Sequence, residues 1–234
     1  MAEPKDVAIE EQLEYYRARA HEYDQWWVRQ GRYDRGGAAN ARWFAESGEI
    51  DLALTNFRPS GRVLELACGT GIWSAKLLPF AFELTLVDGS DEMLALAKDR
   101  LQSKKVRYIR ENLFEWRSDQ VFDVVFFSFW LSHVPPARFA DFWAFIDSCL
   151  APGGRVFFVD SRHEETSTAI DQRLPGSDAV TLRRRLYDGR EFQIYKIYYD
   201  ASEFAERLGA LGWEISVSRT ERYFIYGQGS HKSA

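Results

Sequence analysis

The stretch Val63-Leu64-Glu65-Leu66-Ala67-Cys68-Gly69-Thr70-Gly71-Ile72-Trp73 decides how the rest of the chain is read. An apolar run, interrupted by one acid, leads into two glycines one residue apart. A segment with helical spacing follows. Glycine lets a backbone turn sharply and approach a ligand closely. The pattern reads as strand, loop and helix, with the loop free to hold a small molecule. Two glycines close a turn in many proteins, so the reading depends on what surrounds them.

The residues beyond the turn keep the same rhythm. "ELTLVD" (83–88), "KVRYIR" (105–110), "FDVVFFSF" (122–129) and "RVFFVD" (155–160) are strand-like. "SDEMLALAKDRL" (90–101) and "PPARFADFWAFIDSCL" (135–150) are helical, with Ser90 placed to cap the first. Strands alternating with helices argue for an α/β fold, a parallel sheet covered on both faces. Ligands bind such sheets at the carboxyl ends of the strands. Upstream, residues 8–30 form a helix with Ile9, Leu13, Tyr16, Ala20, Tyr23 and Trp27 in one stripe. A second helix spans 38–57. Downstream, "AVTLRRRLYDGREFQIYKIYYD" (179–200) signals a β-hairpin around Asp188-Gly189. We place its loop at Asp188–Arg190. Val180, Leu182, Leu186, Phe192, Ile194 and Tyr198 then share a face with two cations, Arg184 and Lys196. Those cations either anchor an anionic acceptor or reach the rim. A helix and a final strand pair close the chain.

We read one domain. Residues 1–57 are a helical cap and 58–160 the ligand-binding core. Residues 161–199 are a hairpin lid, 200–227 the C-terminal helix and strands, and 228–234 a mobile tail.

With 234 residues, 46% of them hydrophobic, the chain is long enough for a large core. A net charge of −5 argues against a nucleic-acid binder. No apolar run reaches the roughly 20 residues of a membrane span. The N-terminal stretch lacks the pattern of a signal peptide, and Cys68 and Cys149 have no metal-ligand spacing. A cytoplasmic protein without a metal is expected. Eight Trp, 11 Tyr and 17 Phe exceed what a core alone requires and suggest a pocket for an apolar or planar ligand.

Asp88 ends the second strand, where an acid accepts hydrogen bonds from both ribose hydroxyls. A dinucleotide loop of the form G-x-G-x-x-G needs glycine where Ala67 and Ile72 stand. Glu65 also opposes a pyrophosphate by charge. A sulfonium nucleoside has no phosphate and suits the acids.

At this point the residues resemble a known family. "VLELACGTG", "LVDGSDEM", "FDVVFFSFWLSHVP" and "LAPGGRVFFVD" look like the successive motifs of class I S-adenosylmethionine-dependent methyltransferases. The likeness is to the small-molecule branch related to ubiquinone and menaquinone biosynthesis, and it covers residues 58–160. It implies a Rossmann-like seven-stranded sheet with the last strand antiparallel, and S-adenosylmethionine as cofactor. It also implies roles. Glu65, Ala67, Gly69 and Gly71 line the methionine end. Asp88 binds the ribose, with Gly89 and Met93 at the ribose or adenine face. Asn112 and Leu113 meet the adenine, and Ser128 and Phe129 approach the reacting methyl. The family has glycine at Ala67, so an unusual backbone there would reshape the site.

Methyl transfer is an in-line displacement, and alignment alone contributes about 7–11 kcal/mol. An oxygen or nitrogen acceptor that carries a proton also gains from a base. His133 is the first candidate, either at the acceptor or bonding its loop, and His163 the second. Tyr23 and Tyr16, from the cap, orient the acceptor or the cofactor carboxylate, or simply pack. The expected function is methylation of an oxygen or nitrogen of a small aromatic or apolar metabolite, by a monomer or homodimer. An RNA or protein methyltransferase and a catalytically inactive cofactor-binding protein are the alternatives.

Overall fold

The computed structural model describes residues 7–232. The chain opens with α1 (Val7–Arg19), a 3-10 turn (Ala20–Glu22), α2 (Tyr23–Trp27) and α3 (Gly37–Phe57). The central run is β1 (Gly61–Leu66), α4 (Ser74–Leu77), β2 (Ala81–Asp88), α5 (Asp91–Leu101), β3 (Val106–Arg110), β4 (Phe122–Ser128), α6 (Phe139–Cys149) and β5 (Leu150–Ser161). The hairpin β6 (Thr181–Arg185) and β7 (Glu191–Tyr195) follows, then α7 (Ala201–Ala210), β8 (Trp213–Arg219) and β9 (Phe224–His231).

Seven strands form one sheet in the order β3-β2-β1-β4-β5-β9-β8. The first five are parallel to their neighbours, and β9 runs antiparallel to both β5 and β8. Successive strand residues point to opposite faces. Leu64, Val125, Phe127 and Phe158 pack with Phe142, Trp143 and Phe204 of α6 and α7. Val63, Val124, Phe126 and Phe157 pack with Trp43, Ile50 and Ala97 of α3 and α5. Both faces are covered, which is why "FDVVFFSF" has so little polar interruption. Strand order reverses between β1 and β4, and their carboxyl ends open the crevice such sheets use for ligands. Ser90 caps α5 as expected, its hydroxyl accepting from Met93 N at 3.1 Å.

Three local expectations shift. The N-terminal helix is interrupted by the 3-10 turn, and Tyr23, at the start of α2, lines the crevice. The hairpin loop is Tyr187–Gly189, one residue earlier than expected, because Leu186 N donates to Arg190 O. Arg184 and Lys196 still share a face with Leu182 and Ile194, since both registers pair even with even positions. The last strand passes Gln228 to His231, held by pairing of Gln228 and Gly229 with Phe157 and Val156.

The hairpin stands apart from the main sheet and packs on α1. Tyr15 meets Leu182, Leu186 and Ile194. Glu11 and Gln12 accept from the β7 amides of Gln193 and Tyr195, at 2.6 and 3.1 Å. Side chains of α1 thus satisfy donors that an edge strand would otherwise leave open.

Candidate active site

The turn after β1 is held in left-handed backbone at three places: Ala67 (φ 52°), Gly69 (φ 53°) and Gly71 (φ 80°). Gly71 lies flat on α5, where a methyl group would stand 3.0 Å from the Ala97 side chain. Ala67 tolerates its torsion at a cost, and so does Phe129 (φ 52°), which faces the same crevice. Ala67 thus holds a torsion that glycine adopts without strain.

Asp88 stitches two loops together. One oxygen accepts from Gly69 N at 2.9 Å, the other from Ser90 N at 3.0 Å. Burial pushes its pKa up to about 6, against the pull of those amides. Glu65 lies beneath the loop, fully buried, rather than facing the crevice. Ser74 donates to one of its oxygens at 2.5 Å, and the other has no partner. Burial pushes its pKa up to about 8, so it is mainly neutral at neutral pH. Contrary to expectation, Glu65 thus presents no charge that would repel a pyrophosphate. The loop disfavours one in another way: the Gly69 amide, which a phosphate would take, is occupied by Asp88.

The first cavity opens above this turn. It is lined by Ala67, Gly69, Asp88, Gly89, Met93, Leu113, Ser128, Phe129 and Trp130, roofed by Gln12, Leu13, Tyr16 and Tyr23. Gly89 lets Leu13 close down, since a methyl there would lie 3.1 Å from its Cδ2. An apolar slot at Met93 and Leu113, a carboxylate and, among the described residues, no lining arginine or lysine fit a nucleoside that carries no phosphate.

The second cavity shares Tyr16, Tyr23, Phe129 and His133 with the first. His133 Nδ1 lies 2.5 Å from the Tyr195 carbonyl and must donate to it. Its Nε2 is then the acceptor, and the Tyr16 hydroxyl donates at 2.6 Å. Burial, with Lys196 nearby, holds the His133 pKa well below the usual imidazole range. Burial drives Tyr16 well up. The pair is a neutral hydroxyl on a neutral ring.

Beyond this junction the lining turns cationic. Arg184 donates to Thr168 Oγ1 at 2.6 Å and Gln172 Oε1 at 2.8 Å. Lys196 Nζ donates to Ser132 Oγ at 2.7 Å and Asp160 Oδ1 at 3.3 Å. Asp160 is itself fixed by the amides of Ser132 and Ser161. Arg19, buried, donates to the Tyr33 hydroxyl at 3.2 Å and packs its guanidinium on the rings of Tyr15, Tyr23 and Tyr33. Among the described residues neither arginine meets a carboxylate within ion-pair distance, and Asp160 is the one acid paired with Lys196.

Four candidates lie outside both cavities: Glu65, Gly71, Asn112 and His163. Asn112 Oδ1 accepts from Phe114 N at 3.1 Å, closing a turn beside Leu113. His163 is exposed, bonded to the Pro175 carbonyl and set against the Tyr198 ring. The loop after β5 carries it outward. Gln12, Arg19, Tyr33, Thr168 and Asp160 escaped the sequence reading. Arg19 follows Tyr16 by three positions, the one signal that placed it beside the pocket stripe.

Comparison with known proteins agrees with this geometry. Residues 63–154 match the family model described as a methyltransferase domain. DhpI, solved in complex with SAH, is 38% identical, covers 97% of this chain and 98% of its own, and superposes with a TM-score of 0.78. A ubiquinone/menaquinone biosynthesis C-methyltransferase, UbiE of Teredinibacter turnerae, is 31% identical over 51% of this chain. An uncharacterized methyltransferase of Staphylococcus carnosus is 32% identical over 44%. The chain spans about half the length of these two curated relatives, 50% and 49%. The fold and crevice define a nucleoside-binding α/β enzyme. The chain belongs to the class I S-adenosylmethionine-dependent methyltransferases, and S-adenosylmethionine is its cofactor. No helix among the described residues is long and apolar enough to cross a membrane.

Proposed function

We propose that this methyltransferase acts on an oxygen of a small anionic acceptor, of the carboxylate or phosphoryl class. The observation that carries the reading is the second cavity, whose described lining holds Arg19, Arg184 and Lys196 and no carboxylate, with Asp160 paired to Lys196 alone among the three. Buried cations need counter-charge, and an anionic acceptor supplies it. The aromatic surplus does not argue for an apolar acceptor. Trp26, Trp27, Trp43, Trp73 and Phe129 pack largely against one another, mostly edge to face. Enclosure by α1 and the hairpin supports a metabolite rather than a macromolecule. DhpI has also been solved as a complex with SAM and HEP, so a fold this similar holds a second ligand together with the cofactor.

In this reading Asp88 holds the ribose, Met93, Leu113 and Gly89 the adenine, and Ala67, Gly69 and Ser128 the methionine chain. The cofactor supplies a methyl group on a positive sulfur. Arg184 and Lys196 aim the acceptor oxygen across the junction at Phe129. An anionic oxygen has no proton to lose, so Tyr16, Tyr23 and His133 orient and exclude water. A second reading is favoured by the unprotonated Nε2 of His133: a hydroxyl acceptor would use it as base.

The test is turnover against a panel of small carboxylates and phosphoryl compounds beside phenols, amines, RNA and peptides, read as SAH release. The expected outcome is methyl esters of oxyanions, with a rate flat between about pH 7.5 and 9 for carboxylate acceptors, which are ionised throughout that range. Turnover confined to neutral phenols or amines would refute it. A rate that climbs with pH on a hydroxyl acceptor would select the second reading.

A further inference from the structure

Helix α1 serves both cavities. Leu13 and Gln12 roof the first, and Arg19, its last residue, reaches the second. Arg19 is 8% exposed, and its Nε has no hydrogen-bond partner among the described residues. Three tyrosine rings lie 5.0 to 5.7 Å from its guanidinium, and the helix carboxyl end adds partial negative charge. None of these is a full counter-charge. The other two cations, Arg184 and Lys196, sit on or beside the hairpin that packs against α1. All three cations therefore belong to the cover of the site, while Asp160 belongs to the sheet. Three cations with one carboxylate among them leave counter-charge that an anion can supply.

We propose that Arg19 is the cover's own ligand for the acceptor anion, so that anion and cofactor bind synergistically through α1. This rests on the anionic-acceptor reading above. With an anion seated between Arg184 and Lys196, Arg19 gains its missing partner and α1 is held down. The same helix then lies more firmly over the first cavity, and the cofactor leaves more slowly. Linkage makes the effect reciprocal: whatever factor the anion adds to cofactor affinity, the cofactor adds to anion affinity. Arg19 is a positioning residue for the cofactor, which it does not touch, and a binding residue for the anion.

Calorimetry of SAH binding, with and without inorganic phosphate at constant ionic strength, tests this. In the unaltered protein, saturating phosphate should tighten SAH about tenfold, and SAH should tighten phosphate by the same factor. In Arg19→Met, which keeps an apolar stem and removes the charge, phosphate should still bind, more weakly, and the coupling should fall to within about twofold of none. Arg19→Lys should keep part of it. Arg184→Ala should lose phosphate binding and so identifies the site being read. If phosphate binds the unaltered protein but leaves SAH affinity unchanged, the coupling is overturned and the acceptor reading stands. If coupling persists in Arg19→Met, Arg19 is not its carrier and the assignment falls. If phosphate and small carboxylates fail to bind at all, the acceptor reading falls first and this inference with it. The measurement on the unaltered protein decides the coupling even if a variant misfolds.

Discussion

The two cavities that meet at Phe129 are built on opposite plans. The first draws its floor from loops that follow strands adjacent in the sheet: Ala67 and Gly69 after β1, Asp88 and Gly89 at the end of β2, Ser128 and Phe129 at the end of β4. Among the described residues no arginine or lysine lines it. The second is assembled from α1, the turn near Tyr33, the loop after β5 and the hairpin, and it carries three cations. The first is a property of the sheet. The second is a property of what closes over the sheet. A cofactor site can therefore persist while the acceptor site is rebuilt by exchanging covers, in line with one fold hosting many chemistries.

If the separation is real, damage to one side should spare the other. The largest effect belongs to Asp88→Ala. It removes the acceptor for the ribose and leaves the amides of Gly69 and Ser90 unpaired. Loss of charged hydrogen bonds of this kind should weaken SAH by on the order of 100-fold. Calorimetry reads that loss, and phosphate binding in the second cavity should survive it apart from the coupling. Equal loss at both sites would end the comparison.

The next effect runs the other way. Arg184→Ala should raise the acceptor KM by roughly 10- to 100-fold, as expected for a charged hydrogen bond, with the SAH dissociation constant for the ligand-free enzyme unchanged. Unaltered KM for the true acceptor would remove the anion from the second cavity.

The smallest effect sharpens the picture of the floor. Glu65 has a folded pKa of about 8 against an ordinary 4.5. The folded protein keeps a proton that the unfolded chain has lost, so this group's contribution to stability falls as pH rises through that window. Glu65→Gln is neutral throughout. Its melting temperature should exceed that of the unaltered protein by a few degrees near pH 8 and by less near pH 5. A difference that does not grow with pH would show that Glu65 is ionised in place.

Legibility in the sequence divides along the same line. The glycine turn, Asp88 and the five parallel strands were legible because each is local: an apolar run, a turn residue and a helix start within a dozen positions. Arg184 and Lys196 were legible as a shared face even though the loop was placed one residue late. A shift that keeps parity keeps the face. Glu65 was misread because its neighbours in the chain do not reveal that Ser74 and the loop seal it from the crevice. Asn112 and His163 were candidates by position alone. A two-residue turn bond and an outward loop remove them from the cavities, and neither leaves a mark in spacing.

Local patterning in the chain was enough to specify the sheet, its succession of strands and helices, and a crevice floored by the turn between Ala67 and Gly71. These depend on periodicity and backbone torsion, which act within a few residues. Long-range folding was needed to bring Arg19, Arg184 and Lys196 into one space, to set Asp160 against Lys196, and to set Tyr16 as donor to His133. Such meetings join positions up to 177 residues apart, as between Arg19 and Lys196. Their energy comes from charge and burial, which depend on distance in space and not along the chain.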